Sequence, residues 1–467
     1  MKERIVRITR ISIENFKNVS AGDILLENAN SKFKASVLGL YGQNGSGKTA
    51  LIDALSVLKH ALCGKAIPNK YSDYVNVDAP FARMKYWFKV LSQNEDIRYD
   101  VSYEFKLQKQ RNTTGSLKEQ DSVINSVGIY DEILSYSYST SQEKEKFVQV
   151  INTNADMPFV PKTKYDILTN KNKTVTTDLL VAKKLARMTS RSFVFSRELL
   201  DVIRANCKHE VHKDVIESIV SFGNYELFVF DTTNTGLIAL NALPLSLKYE
   251  SNGMGIAGSF MLPLDDSALI PDQAFDLVEK AIDNINIVLS QLVPGLTIKI
   301  SKLGTQLMPD NSIGARIQLV SCKHRKIIPL AYESEGIKKI FSILQLLINV
   351  YNNPSITVAI DELDSGIFEY LLGEILRIIS EKGKGQLIFT SHNLRPLETI
   401  DKGFIVFTTI NPDNRYIRLT NVKSNNNLRD FYYRDIIVDE QNETLYEPTN
   451  NSEISLAFRE AGDNCAQ

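Results

Sequence analysis

Apolar and polar positions change period several times along the chain, and each change predicts an element. Arg7 to Glu14 alternates like a strand, Ser36 to Tyr41 is a short, mostly apolar run, and Thr49 to Leu62 sets Leu51, Ala54, Leu55 and Leu58 on one helical face. From Ala82 to Leu107 the pattern is again that of strands: Tyr86, Trp87, Phe88 and Val90, then Tyr99, Val101, Tyr103 and Phe105 in alternation. Gln, Lys, Ser, Thr and Asn dominate 108–145, which predicts exposed hairpins and loops, with Tyr136 and Tyr138 packing on a strand. Helices are expected within 165–292. The clearest runs from Pro271 to Leu292, where Phe275, Val278, Ile282, Ile285 and Leu289 keep a 3–4 spacing behind a proline at the start.

A second regular block covers 297–410. Ala315–Val320 and Ile327–Leu330 flank the basic turn Cys322-Lys323-His324-Arg325-Lys326, predicting a β-hairpin. A helix (336–350), an apolar strand (356–360), a helix (366–380) and a strand (386–390) follow, and that alternation argues for a parallel sheet covered by helices. The last 40 residues are of mixed polarity, with Phe431, Tyr432, Tyr446 and Phe458 expected as apolar anchors. There are no sustained a/d heptads, so no long coiled coil is expected.

Composition narrows the class. At 467 residues, 43% hydrophobic and 23% charged, the chain reads as a globular protein of about three domain-sized units. Its 54 Lys and Arg balance 55 Asp and Glu, so no global field draws it to nucleic acid or an anionic membrane. No apolar run approaches the length of a membrane span, and the N-terminus lacks a signal-peptide block. The four scattered cysteines suit a reducing compartment, and a cytoplasmic location is expected.

Four segments carry candidate chemistry. Gly42-Gln43-Asn44-Gly45-Ser46-Gly47-Lys48-Thr49 is a complete G-x-x-x-x-G-K-[ST] phosphate loop between a strand and a helix. Its backbone N–H groups would converge on phosphate oxygens, Lys48 would reach the β- and γ-phosphates, and the Thr49 hydroxyl would face Mg²⁺. The strand Ile356–Ile360 delivers Asp361 and Glu362 to a carboxyl edge, where Asp361 would hold the Mg²⁺ shell and Glu362 would polarise the attacking water. Leu387–Thr390 ends in Ser391-His392. A lone His at a strand end is usually a surface residue, but one crossover after the acidic strand it reads as a γ-phosphate sensor. Glu333-Ser334-Glu335-Gly336 opens a helix, as a cap commonly does, and is also an anion site.

Together these segments, with the opening Ile11-Ser12-Ile13-Glu14-Asn15-Phe16-Lys17, resemble ATP-binding-cassette ATPases of the SMC and RecF-like branch. The resemblance covers roughly 7–62 and 315–410. It implies an α/β fold, an ABC-type P-loop ATPase head with a mixed sheet and covering helices, split by a long α+β insertion. By the same resemblance Gly42 to Thr49 is Walker A, Asp361 and Glu362 end Walker B, Leu363-Asp364 is the D-loop, and His392 is the switch histidine. Ser334 and Gly336 stand in the signature that reaches a second subunit's ATP. The signature departs from Leu-Ser-Gly-Gly-Gln, with Glu335 for a glycine and Ile337 for the glutamine. The form Glu-Ser-x-Gly followed by Lys338-Lys339-Ile340 is similar to the ATPases of bacterial anti-phage systems, of OLD-like, abortive-infection and PARIS type.

The implied organisation is a head made of 1–107 and 297–425, an insertion or lid at 108–296, and a tail at 426–467. The implied function is an ATP- and Mg²⁺-dependent switch that dimerises and controls a partner. Seventy-five residues follow His392, with no D-x-D pair and no His cluster among them, so the effector nuclease or toxin is expected to be a separate chain. A phage-derived trigger, higher oligomers and nucleic acid stand open as further partners, and the alternative is a DNA-repair or chromosome-maintenance ATPase that clamps nucleic acid. A transport role is disfavoured because transport cassettes run uninterrupted from Walker A to signature. Cys207, His209 and His212 could be metal ligands, but no fourth follows, and a helical surface is the simpler reading. Arg191, Arg197 and Arg204 could form a partner or nucleic-acid face or simply be exposed, and the basic turn 323–326 could touch a phosphate backbone, with a solvated hairpin tip the favoured reading.

Overall fold

The computed structural model describes residues 4–27, 33–92, 97–112, 124–139, 143–251, 254–308, 311–419, 427–438 and 443–465. The chain opens with β1 (Arg4–Phe16), β2 (Val19–Leu25) and β3 (Ser36–Tyr41), then α1 (Lys48–Leu62). A four-strand run follows: β4 (Ala82–Ser92), β5 (Arg98–Asn112), β6 (Ile124–Ser139) and β7 (Lys144–Asn152). Four helices come next: α2 (Lys162–Leu168), α3 (Val175–Met188), α4 (Arg197–Asn206) and α5 (Glu210–Tyr225). After them run β8 (Leu227–Phe230), α6 (Thr232–Ala239), β9 (Ala242–Ser251), β10 (Met254–Pro263), β11 (Ala268–Pro271) and α7 (Asp272–Leu292). The second regular block is β12 (Leu296–Leu307), β13 (Ile313–Lys323), β14 (Lys326–Pro329), α8 (Glu335–Asn352), β15 (Thr357–Ile360), α9 (Glu369–Lys382) and β16 (Gln386–Thr390). It closes with α10 (Pro396–Thr399), β17 (Ile405–Thr408), β18 (Tyr416–Ile417), α11 (Leu428–Val438) and α12 (Asn451–Cys465).

Two six-stranded sheets position the site. The first is antiparallel, in the order β2-β1-β4-β5-β6-β7. The second runs β18-β17-β3-β16-β15-β8; its five longer strands are parallel and β18 is antiparallel. The fold is therefore α/β with a mixed sheet and covering helices, and the described residues contain no long coiled coil. β3, β15 and β16 are buried along their whole length, which is why they read as near-continuous apolar runs. Buried Gln386 ties the sheets together: its amide accepts from Ile8 N–H and donates to Ile8 C=O, both at 2.8 Å. Among the described residues, no helix is long and apolar enough to cross a membrane.

The polar stretch after 107 belongs largely to the first sheet. Residue 107 lies inside β5, and β5, β6 and β7 pair as successive antiparallel hairpins, but these are not wholly exposed: β6 buries Leu134 and, as expected, Tyr136 against the core of the sheet. Likewise β8, from the expected insertion, is the edge strand beside β15. Both follow from strand pairing, which joins segments far apart in sequence and leaves little mark on local composition. Buried Glu132 anchors the segment before α4: its carboxylate accepts from Tyr103 O–H (2.7 Å), Ser192 O–H and Phe193 N–H (2.7 Å). The basic turn is a two-residue hairpin with His324 and Arg325 both in the left-handed region. Phe431 and Tyr432 are core residues, whereas Phe458 is 78% exposed rather than an anchor.

Candidate nucleotide-binding site

The parallel register of β3, β16 and β15 brings three of the four sequence segments to one edge. β3 ends at Tyr41 and the phosphate loop follows. Gly47, with φ 95°, is the N-cap of α1 and has no side chain to cap it, so the helix N-terminus carries no N-cap side-chain bond. A side chain at Gly47 would be strained by its φ and crowded by Arg415, 3.2 Å from an added Cβ. Lys48 is 7% exposed and donates to the carbonyls of Gly42 (2.8 Å) and Gln43 (3.0 Å). Burial lowers its pKa, while Asp361, Asp364 and Glu362 act to raise it. Thr49 is half-buried, and Asn44 and Gly45 are exposed.

β15 delivers Asp361 fully buried. Its Oδ1 accepts from Thr390 Oγ1 at 2.5 Å, and its Oδ2 has no hydrogen-bond partner among the described residues. A buried carboxylate oxygen left open in this way suits a cation. Glu362 has φ 49°; its N–H donates to Thr390 Oγ1 at 2.7 Å and its C=O accepts from Lys339 Nζ. Asp364 accepts from the backbone N–H groups of His392 (3.0 Å) and Asn393 (2.9 Å), so this carboxylate sets the main chain that carries His392, which is exposed.

Ser334 is the N-cap of α8, and its Oγ accepts from Ile337 N–H at 3.4 Å. Gly336 lies against Gly366: a Cβ at Gly336 would stand 2.0 Å from the Gly366 carbonyl oxygen, so only glycine permits the packing of α8 on the loop after Asp364. Ser334 is exposed, and its side-chain hydrogen bond is to its own helix rather than to the carboxylates.

Lys339, Thr390 and the brace beneath the phosphate loop escaped sequence reasoning. Buried Lys339 lies in the second turn of α8; burial lowers its pKa to about 8 against the pull of Asp364, Glu362 and Asp361. Its signal was a lysine at an inward position of an otherwise apolar helix face. Thr408 Oγ1 meets Ser46 Oγ, Tyr416 O–H donates to Gly47 C=O at 2.9 Å, and Asn18 Nδ2 donates to Gly45 C=O. Gln43 pairs in both directions with the backbone of Glu447, at 3.3 Å and 3.0 Å.

Residues 10–210 match the AAA_23 family model, an AAA domain. Among solved structures the chain is similar to the SMC head domain from Thermotoga maritima (13% identity, TM-score 0.36, 88% of this chain and 99% of that one). It is similar also to an Smc head domain derived from Pyrococcus yayanosii (10%, TM-score 0.38, 89% and 98%). A third is the ATP complex of the recombination mediator protein RecF (14%, TM-score 0.37, 89% and 100%). No curated protein matches the sequence.

The His209 and His212 rings lie 4.5 Å apart, centroid to centroid, but among the described residues no group of three or more His, Cys, Asp or Glu side chains could hold a metal. His212 is buried, not on a helical surface, and its Nδ1 is 2.7 Å from Tyr136 Oη. Arg191, Arg197 and Arg204 are exposed.

Proposed function

We propose that this chain binds and hydrolyses ATP as a dimerising switch, with Gly42 to Thr49 as its phosphate loop. The observation that carries this reading is the convergence of Lys48, Asp361, Glu362 and Asp364, drawn from segments more than 300 residues apart, on one sheet edge. In this reading the loop N–H groups and Lys48 bind the β- and γ-phosphates, for which Lys48 exchanges its carbonyl contacts with Gly42 and Gln43. Thr49 and the open Oδ2 of Asp361 would hold Mg²⁺, which supplies charge neutralisation for the phosphates when bound. Glu362 orients the attacking water and accepts its proton, and His392 faces the γ-phosphate from the adjacent strand end. Ser334 and Gly336, at an exposed helix N-terminus, complete the ATP site of a second copy.

The Glu333-Ser334-Glu335-Gly336 form of the signature extends the proposal to bacterial anti-phage defence, in which the head state controls a separate nuclease or toxin. The test has two levels. Purified chain should turn over ATP with Mg²⁺, and Lys48→Ala should not; equal rates would end the ATPase reading. Pulldown with mass spectrometry before and after phage infection should recover an effector in one ATP state only, and recovery of none in either state would end the defence reading.

A further inference from the structure

α12 is an exposed helix with no visible reason to be stable by itself. All described side chains from Asn451 to Gly462 are exposed. A helix of 15 residues is marginal alone in water, more so with Asn, Ser and Gly in it. It nevertheless has a face: Ile454, Ala457, Phe458 and Ala461 fall on one stripe, flanked on one side by Glu453 and Glu460. Phe458 is 78% and Ile454 42% exposed. Such a stripe requires cover.

The root of this helix is fixed beside the phosphate loop. Gln43 holds the Glu447 backbone through both amide atoms, and Glu443 accepts from Asn411 and Asn414, each at 2.9 Å. Only three residues separate Glu447 from Asn451. The signature side of the molecule offers the complementary surface. Five residues before Ser334 ends β14, an edge strand that pairs only with β13 among the described residues. Its Ile327 and the following Tyr332 are 66% and 78% exposed, and the adjoining turn carries exposed Lys323, Arg325 and Lys326. This strip is apolar and basic where the α12 stripe is apolar and acidic.

We propose that α12 is an arm received by a second copy of this chain, on its Lys323–Tyr332 strip. The inference rests on the dimerising reading above. If the phosphate loop of one copy faces Ser334 of the other, the arm's root and the strip lie at the same junction, one a few residues from the loop and the other a few residues from the signature. The arm then adds apolar burial and opposite-charge pairing to the interface, and its tether through Gln43 links its placement to the loop that binds phosphate.

The experiment uses the full chain carrying Glu362→Gln, with ATP and Mg²⁺, and measures the dimer dissociation constant by analytical ultracentrifugation. Phe458→Asp with Ile454→Asp should weaken the dimer at least about tenfold while monomer ATP affinity stays unchanged. Glu453→Lys with Glu460→Lys should weaken it, and so should Arg325→Glu with Lys326→Glu. A chain combining all four reversals should recover most of the loss, which a merely destabilised helix would not do. Unchanged dimerisation in the apolar double variant overturns this inference alone, including the case where those variants instead lose a separate effector. Failure of the Glu362→Gln parent to dimerise overturns the dimerising reading as well.

Discussion

Lys339 Nζ donates a hydrogen bond to the main-chain carbonyl of Glu362, 23 residues further on. Glu362 sits at φ 49°, a conformation that costs a non-glycine residue about 1–2 kcal/mol, so it persists only where its surroundings over-determine it. Lys339 on one side and Thr390 on the other do so, gripping the carbonyl and the N–H of the same residue. α8 is thus wired to the residue proposed to orient the attacking water.

Lys339→Met should therefore lower kcat by about tenfold to a hundredfold, the scale of a small misplacement of a catalytic group, with ATP affinity changed far less. Lys339→Arg should recover part of the rate, because it restores a cationic donor. Steady-state kinetics beside direct nucleotide binding checks this; equal losses in affinity and kcat would point to general damage instead.

Lys48→Ala should reduce turnover at least about a hundredfold, since the variant lacks the buried cation nearest the phosphates. Isothermal titration with ATP should show weakened binding as well.

Glu362→Gln should retain ATP and accumulate a dimer, because the amide keeps the shape of the carboxylate but cannot accept the water's proton. Ser334→Arg should stay monomeric yet bind ATP, since the Ser334 side chain is exposed and caps only its own helix. Light scattering with and without nucleotide distinguishes the two.

His212 gives the fold an acid sensitivity. Burial, then Lys164 and His209, lower its pKa from 6.5 to about 3. Because this base is harder to protonate when folded, the unfolded chain binds the extra proton between about pH 6.5 and 3. Stability from this group is full above that window and declines as pH falls through it, by at most about 1.4 kcal/mol per pH unit. His212→Phe should be less stable at pH 7, having lost the Tyr136 contact, but its thermal midpoint should fall less between pH 6 and pH 4.

Local sequence determined the elements whose chemistry is contiguous. The phosphate loop, the strand ending in Asp361-Glu362, the helix opened by Ser334 and the hairpin at 323–326 could each be read from spacing, since a strand end, a cap or a tight turn is specified within a few residues. Tertiary structure decided what those elements meet. β8 joins β15 across 130 residues of sequence (357 − 227), Thr408 and Tyr416 brace a loop more than 350 residues upstream, and Lys339 on α8 reaches Glu362 beyond the end of β15. An inward lysine or threonine looks in sequence like any other polar residue on an apolar element. Its role depends on which orphan carbonyl or carboxylate lies opposite, and only the packed fold supplies that partner. The same holds in reverse for Phe458: its apolar periodicity marks a face to be covered, while only the fold shows that it stands 78% exposed among the described residues.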